Sequence, residues 1–131
     1  MKTYQTTKHA MSYLEYQFVF CSRYGRKVFL DSTLNQRFSE ITNEICEVNE
    51  FKLLACQTYE FWVYLKLEAP PEISPCDVLT KIRFGTSKQL RNEFESIRHL
   101  PSLWTRKYLV STKDLSQDRI SEFLQSQKKR G

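Results

Sequence analysis

The stretch YEFWVYLKLEAPP, residues 59–71, constrains the fold more than any other part of the chain. Its side chains alternate in character and therefore point to the two faces of a strand. One set is Tyr59, Phe61, Val63, Leu65 and Leu67, and the other is Glu60, Trp62, Tyr64, Lys66 and Glu68. Pro70 and Pro71 end the strand, because proline has no N–H to donate to a sheet. The pattern predicts a strand with one buried face, which requires a sheet covered on that side.

Periodicity and capping signals elsewhere predict three more strands and three helices. The strands are placed at about 13–21, 51–58 and 106–111, and the helices at about 31–49, 74–94 and 117–128. Asp31 is a good N-cap for the first helix, and Ser74 followed by Pro75 opens the second. Gly85 is a weak point inside the second helix. The resulting order, β-α-β-β-α-β with an additional C-terminal helix, predicts an α+β, ferredoxin-like fold.

Length and composition limit the class of protein. The 131 residues suit a single domain, 1–131, in which the polar segments 1–9 and 128–131 are expected to be flexible tails. The net charge of +5 is compatible with a polyanionic partner but also with an ordinary solvated surface. Four cysteines without a CxxC pair, and two histidines, His9 and His99, do not give the ligand spacing of a zinc site.

Targeting and redox signals favour a cytoplasmic protein. The chain shows no signal-peptide pattern, and no apolar run approaches the ~20 residues that a membrane span needs. The cysteines are then expected to be free, mostly buried thiols. Nothing in the sequence indicates a small-molecule substrate.

Three segments carry a resemblance to one family. YLEYQFVFCSRYGRKVF, from Tyr13, resembles the opening strand and basic turn of the single-tyrosine HUH transposases of small bacterial insertion sequences and REP-associated elements. APPEISPCDVLTKIRFGTSKQLRNEF, from Ala69, is similar to their double-proline turn and basic helix. LWTRKYLVSTKDLSQDRISEFLQSQ, from Leu103, is similar to their final strand and nucleophile helix. The resemblance covers about residues 9–127 and implies the fold of that family.

The resemblance also implies a chemistry against which this chain can be compared. In the family, two histidines at i and i+2 on a strand bind a divalent metal, Mg²⁺ or Mn²⁺, on one face of the sheet. A glutamine on the last helix helps to complete that site. A tyrosine on the same helix attacks a DNA phosphate and forms a covalent phosphotyrosine. Family members act as dimers on single-stranded DNA folded into hairpins.

This chain departs from the family at the positions that carry the chemistry. The two histidine positions fall on Trp62 and Tyr64, and the nucleophile position falls on Phe123; only the glutamine, Gln127, is retained. Indole has no lone pair for a metal, a neutral phenol is a poor ligand for Mg²⁺ or Mn²⁺, and phenylalanine has no nucleophilic oxygen. The resemblance therefore implies an inactive relative without a metal cofactor. Tyr59, Tyr64 and Tyr108 are the alternative nucleophiles for residual transposase activity, but no base accompanies them in the sequence.

Two interpretations of Trp62 and Tyr64 stay open. As an exposed aromatic pair they would stack on unpaired bases, as in other ferredoxin-like nucleic-acid binders. As buried rings they would fill the vacated site and pack on the last helix, against Phe123. Gln127 is then expected to form ordinary hydrogen bonds.

Two basic groups are the candidate phosphate contacts, because they lie where the resembled family is basic. The first group is in the loop after the first strand and the second is on the second helix: Arg23, Arg26 and Lys27, then Lys81, Arg83, Lys88 and Arg91. The alternative for each is a solvated surface charge.

The sequence thus predicts an inactive, transposase-like protein that binds DNA as a homodimer, with hairpin-forming single strands as its target. Such a protein would regulate transposition or transcription. Three alternatives stay open: a dimeric protein-interaction module that no longer binds nucleic acid, a residual transposase, and an inert remnant. The sequence does not distinguish DNA from RNA.

Overall fold

The structure, a computed structural model, describes residues 13–127. The predicted tails, 1–9 and 128–131, lie outside the described residues, as does His9. The strands are β1 (Leu14–Cys21), β2 (Lys52–Thr58), β3 (Trp62–Ala69) and β4 (Leu109–Ser111). The helices are α1 (Ser32–Val48), α2 (Pro75–Glu93), α3 (Glu95–Arg98) and α4 (Gln117–Gln127), and two short 3₁₀ turns, Arg23–Gly25 and Val28–Leu30, precede α1.

The four strands form one antiparallel sheet in the order β2-β3-β1-β4. The helices α1 and α2 pack against each other and share a core with one face of the sheet. The C-terminal helix α4 contacts β1. This arrangement confirms the predicted α+β, ferredoxin-like fold with an additional C-terminal helix.

Strand β3 has the predicted alternation over most of its length. Val63, Leu65 and Leu67 are fully buried in the core that α1 and α2 cover, whereas Trp62 and Tyr64 are half-buried on the opposite face. Strands β1 and β3 are the two central strands and pair in one continuous register. Residues paired across them therefore lie on the same face of the sheet.

Local capping also agrees with the sequence. Asp31 accepts hydrogen bonds from the N–H groups of Thr33 and Leu34 at the start of α1. At the start of α2 the Ser74 hydroxyl accepts from the N–H of Asp77. Each cap satisfies N–H groups that have no partner within the helix.

The turn between β2 and β3 corrects the predicted strand boundary. Residues 59–61 form the turn, in which the Tyr59 N–H donates to the Trp62 carbonyl (2.9 Å). Tyr59 therefore does not lie on the core face, and its side chain is 43% exposed. Among the described residues, positive φ angles occur only at Tyr24, Gly25 and Glu50. The turn needs no left-handed backbone, which explains why no glycine marks it.

Two further predictions were inaccurate. The fourth strand, expected from Arg106, begins only at Leu109, and α3 was not foreseen. Gly85 lies in the middle of α2 opposite the Ile45 side chain of α1: a Cβ at this position would lie 2.6 Å from Cδ1 of Ile45, so the end of that side chain would have to move. Glycine lowers the stability of the helix at this position, but it leaves room for the Ile45 side chain.

All four cysteines are free, with Cys21 and Cys46 buried, Cys56 half-buried and Cys76 exposed, so burial was predicted correctly for only part of the set. Burial raises the pKa of Cys46 to about 12. Within residues 13–127, no helix combines the length and apolar character needed to cross a membrane.

Candidate nucleic-acid interface

A groove between α2 and the α3–β4 connection, residues 99–108, gathers four arginines: Arg23, Arg83, Arg91 and Arg106. We call it the arginine groove; its volume is about 310 Å³. No aspartate or glutamate is among its lining residues, and none of its arginines forms an ion pair in the described part of the chain. The positive charge of the groove is therefore not balanced locally, which favours an anionic ligand.

Arg23 and Arg91 are fixed by main-chain carbonyls of the α3–β4 connection. Nε of Arg23 donates to the carbonyl of Trp104 (3.3 Å). Nη1 of Arg91 donates to the carbonyl of Leu100 (2.9 Å). Nε of Arg91 also donates to the carbonyl and the hydroxyl of Ser87 (3.1 Å each). Each guanidinium still keeps further N–H groups, because the group carries five donors. The side chains are thus held in place at the wall of the groove.

Arg83 is fixed by the same connection through two bonds. Its Nη1 donates to the carbonyls of Thr105 (2.8 Å) and Arg106 (3.0 Å), and its guanidinium lies over the ring of Tyr108 at 5.0 Å. Burial lowers the pKa of the guanidinium, and the Tyr108 phenol acts in the opposite direction. Arginine nevertheless stays charged at neutral pH. A charge change at Arg83 would therefore alter the fold as well as any binding.

The seven predicted phosphate contacts do not form one cluster. The groove brings together Arg23, Arg83 and Arg91. It adds Arg106, which was predicted to lie in a strand and not among the phosphate contacts. The basic run TRK, residues 105–107, was the sequence signal that could have marked Arg106 as a phosphate contact.

The other four predicted contacts lie outside the lining of the groove. Lys81 and Lys88 are exposed on α2, where Lys88 lies 6.0 Å from the ring centre of Phe84. Phe84 is 66% exposed and itself lines the groove. Arg26 lies over the Tyr24 ring at 5.4 Å, and Lys27 forms an exposed ion pair with Glu60 (3.3 Å).

Trp62 and Tyr64 line a second depression of about 310 Å³, on the sheet face opposite α1 and α2. We call it the aromatic cleft. The Trp62 ring stacks on Tyr59, with ring centres 4.0 Å apart and planes inclined by 13°. Helix α4 closes one side with Gln117 and Ile120.

Phe123 lies in a third depression, the Phe123 recess, of about 430 Å³. Its lining combines α4 with the end of the α3–β4 connection: Arg106, Lys107, Tyr108, Phe123, Ser126 and Gln127. Neither Trp62 nor Tyr64 lines this recess. The structure stacks Trp62 on Tyr59, and not on Phe123 as one interpretation of the sequence expected.

Trp62, Tyr64 and Gln127, the residues at the positions that the resemblance assigns to the metal site, do not fit Mg²⁺ or Mn²⁺. The Trp62 indole offers a donor only, and burial raises the pKa of the Tyr64 phenol, which is therefore neutral at physiological pH. Gln127 is 3% exposed, and its Nε2 donates to the Ser126 hydroxyl (3.2 Å). Across residues 13–127 no group of three His, Cys, Asp or Glu side chains is placed to hold a metal ion.

Within residues 13–127, no side-chain base is hydrogen-bonded to the alternative tyrosine nucleophiles. The Tyr59 hydroxyl donates to Oε1 of Gln57 (3.1 Å). The pKa of Tyr108 is raised, first by its hydrogen bond to Cys76 and then by burial. A nucleophilic tyrosine needs a lowered pKa or a neighbouring base, whereas the pKa values of Tyr64 and Tyr108 are raised.

The chain is similar to known proteins over nearly its whole length. The family model described as "Transposase IS200 like" matches residues 10–127. Among solved structures, a candidate transposase from Deinococcus radiodurans R1 superposes with a TM-score of 0.81 at 19% identity, covering 94% of this chain and 97% of the other. A REP-associated tyrosine transposase bound to a REP hairpin gives 0.59 at 11% identity, covering 89% and 68%. No curated protein matches the sequence significantly.

Proposed function

Because the chain belongs to the family of IS200-like transposases, we propose that it is a catalytically inactive member that binds hairpin-forming single-stranded DNA without cleaving it. The observation that carries this proposal is the arginine groove, in which four arginines meet without an acidic neighbour. Phosphates are the ligands that such a concentration of guanidinium groups attracts most strongly.

The lining of the groove supports a single-stranded nucleic acid as the ligand. Arg23, Arg83 and Arg91 are held by carbonyls of the α3–β4 connection, so these three side chains bind a ligand without a large loss of side-chain entropy. The exposed Phe84 ring in the same lining can stack on a base, while Lys81 and Lys88 extend the positive charge along α2. Such contacts increase the affinity for nucleic acid but contribute little to sequence specificity.

The proposed inactivity follows from the chemistry at three positions. Trp62 and Tyr64 supply no metal ligand of the required kind, and Phe123 supplies no nucleophilic oxygen. Trp62 and Phe123 also line separate depressions. Transposition by the family mechanism needs all three groups in one site, so a single substitution would not restore it.

The hairpin target and the regulatory role extend the same proposal. A REP-associated relative of the same fold is bound to a REP hairpin. A member that occupies such hairpins without cutting them would compete with an active transposase, and it would do so as a homodimer. Light scattering of the purified protein measures the dimer directly; a monomer at binding concentrations would contradict that part.

The binding proposal is tested by fluorescence anisotropy with a labelled hairpin that carries a single-stranded flank, at several salt concentrations. Arg106→Glu should weaken binding by about tenfold or more and reduce the salt slope by about one phosphate contact. Lys113→Glu is the matched control, since it makes the same charge change at an exposed residue outside the groove. Equal affinity of the two variants, or no preference for the hairpin over random duplex, would favour a protein-interaction module instead.

Inactivity is tested separately. The protein is incubated with end-labelled single-stranded DNA and Mn²⁺, and the products are separated on a denaturing gel. We expect no covalent protein–DNA adduct and no nicked strand. Either product would show that a different nucleophile has replaced the lost tyrosine.

A further inference from the structure

The aromatic cleft has the features of a binding site for a flat ligand. Tyr59 and Trp62 form a parallel stack, and the Tyr59 hydroxyl is tied to Gln57, which fixes the ring. A base stacks on such a platform whatever its identity, because every base has a π-face. The cleft volume of about 310 Å³ lies at the lower end of the range for ligand sites, roughly 300–1,000 Å³.

The floor of the cleft is built from a buried amide. Gln17 on β1 is only 2% exposed, its Nε2 donates to Oδ1 of Asp114 (2.8 Å), and its Oε1 accepts from the N–H of Leu115 (3.1 Å). These two bonds tie the β4–α4 connection to the sheet beside the cleft. The Asp114 carboxylate also makes the cleft unfavourable for a phosphate, so an uncharged flat group fits better than an anion.

The cleft and the arginine groove meet at the same end of the sheet. Trp62 pairs with Cys21 across the β1–β3 ladder, and Arg23 follows Cys21 by two residues. The groove lies beside α2 and the cleft lies on the opposite face of the sheet, so a strand must cross this end of the sheet to contact both. The groove suits the phosphates and the cleft suits a base from the same strand.

We propose that the aromatic cleft binds one unpaired nucleobase of the single-stranded flank, stacked on the Tyr59–Trp62 pair. The inference rests on the proposed function for the identity of the strand, but the cleft itself is testable without it. The positions that carry metal ligands in active relatives would then hold a base instead of a metal ion. The cleft distinguishes a flanked hairpin from a blunt one.

The first test uses the protein labelled with ¹⁵N-tryptophan. The chain has two tryptophans, so two indole N–H signals are expected. Trp104 is 3% exposed and donates to the Thr86 hydroxyl, which makes it an internal control. Millimolar deoxyadenosine should shift the Trp62 signal and leave the Trp104 signal in place, whereas inorganic phosphate should shift neither. No Trp62 shift with any of the four deoxynucleosides, or a shift with phosphate alone, would overturn the proposal.

The second test uses the turn variants Tyr59→Ala and Tyr59→Phe, which change an exposed side chain. Tyr59→Ala should weaken binding of the flanked hairpin by about tenfold and leave a blunt hairpin unaffected. Tyr59→Phe keeps the ring and should bind as the unchanged protein does. Equal binding by both variants would refute a base on this platform. If no hairpin binds while the deoxynucleoside shifts persist, the proposed function fails and the base site stands.

Discussion

Replacing Arg83 by methionine tests whether the arginine groove is also part of the framework of the fold. Methionine keeps the length of the aliphatic stem but removes the two hydrogen bonds to the carbonyls of Thr105 (2.8 Å) and Arg106 (3.0 Å). A hydrogen bond to a charged group contributes about 1.5–3 kcal/mol. The loss of two is partly offset, because methionine is not penalised for burial as the guanidinium is.

The expected net loss is about 2–3 kcal/mol in the free energy of unfolding. For a chain of this length that corresponds to a fall in Tm of about 8–12 °C, at about 4 °C per kcal/mol. Urea unfolding followed by circular dichroism measures the free energy, and a thermal scan measures Tm. The slope of the urea transition should stay the same if the variant folds as before.

Lys88→Met is the matched control for this prediction. It places the same side chain on the same helix, but at an exposed lysine for which no hydrogen bond or ion pair is present in the described structure. A change within about 0.5 kcal/mol is expected there. If Arg83→Met is as stable as Lys88→Met, the bonds to the α3–β4 connection contribute nothing, and Arg83 is free to bind a ligand.

Three further predictions concern the helices. The Arg37 hydrogen bond lowers the pKa of Glu93, so the stability from this pair is present above the ordinary glutamate pKa of about 4.3 and is lost as the pH falls through the lower folded value. The stability difference between the unchanged protein and Glu93→Gln should therefore shrink between pH 6 and pH 3, and a constant difference would contradict the pair. Gly85→Leu should destabilise the protein by about 1–3 kcal/mol in urea despite the better helix propensity of leucine, because its Cβ meets Ile45; a higher Tm would refute that contact. Asp31→Ala should cost about 1 kcal/mol by the same assay, and Asp31→Asn, which keeps the capping oxygen, should cost much less.

The elements that sequence reasoning predicted well are those specified by neighbouring residues. The alternation around Val63 and the caps at Asp31 and Ser74 are local, and the structure reproduces them. The turn at residues 59–61 was missed because it uses ordinary backbone angles and therefore leaves no glycine or asparagine signal. Gly85 could not be interpreted either, since its cause is a side chain on another helix.

The candidate site was predictable only in part, because it joins distant segments. Arg83 and Arg91 share a helix and were selected together, but Arg106 belongs to the groove only because the α3–β4 connection folds back onto α2. The basic groups in the sequence gave no indication that Lys27 would pair with Glu60. The stack of Tyr59 on Trp62 likewise depends on a turn that the alternation alone did not predict.

The bonds from Arg23, Arg83 and Arg91 have a consequence for how this protein can change over evolutionary time. All three side chains donate to main-chain oxygens of one irregular connection, and a carbonyl oxygen is present whatever residue carries it. Substitutions in the connection can therefore accumulate without loss of these bonds, whereas the arginines cannot be replaced in the same way. Selection for a stable fold alone would keep the groove positively charged, so its charge would survive even in a lineage that had stopped using DNA.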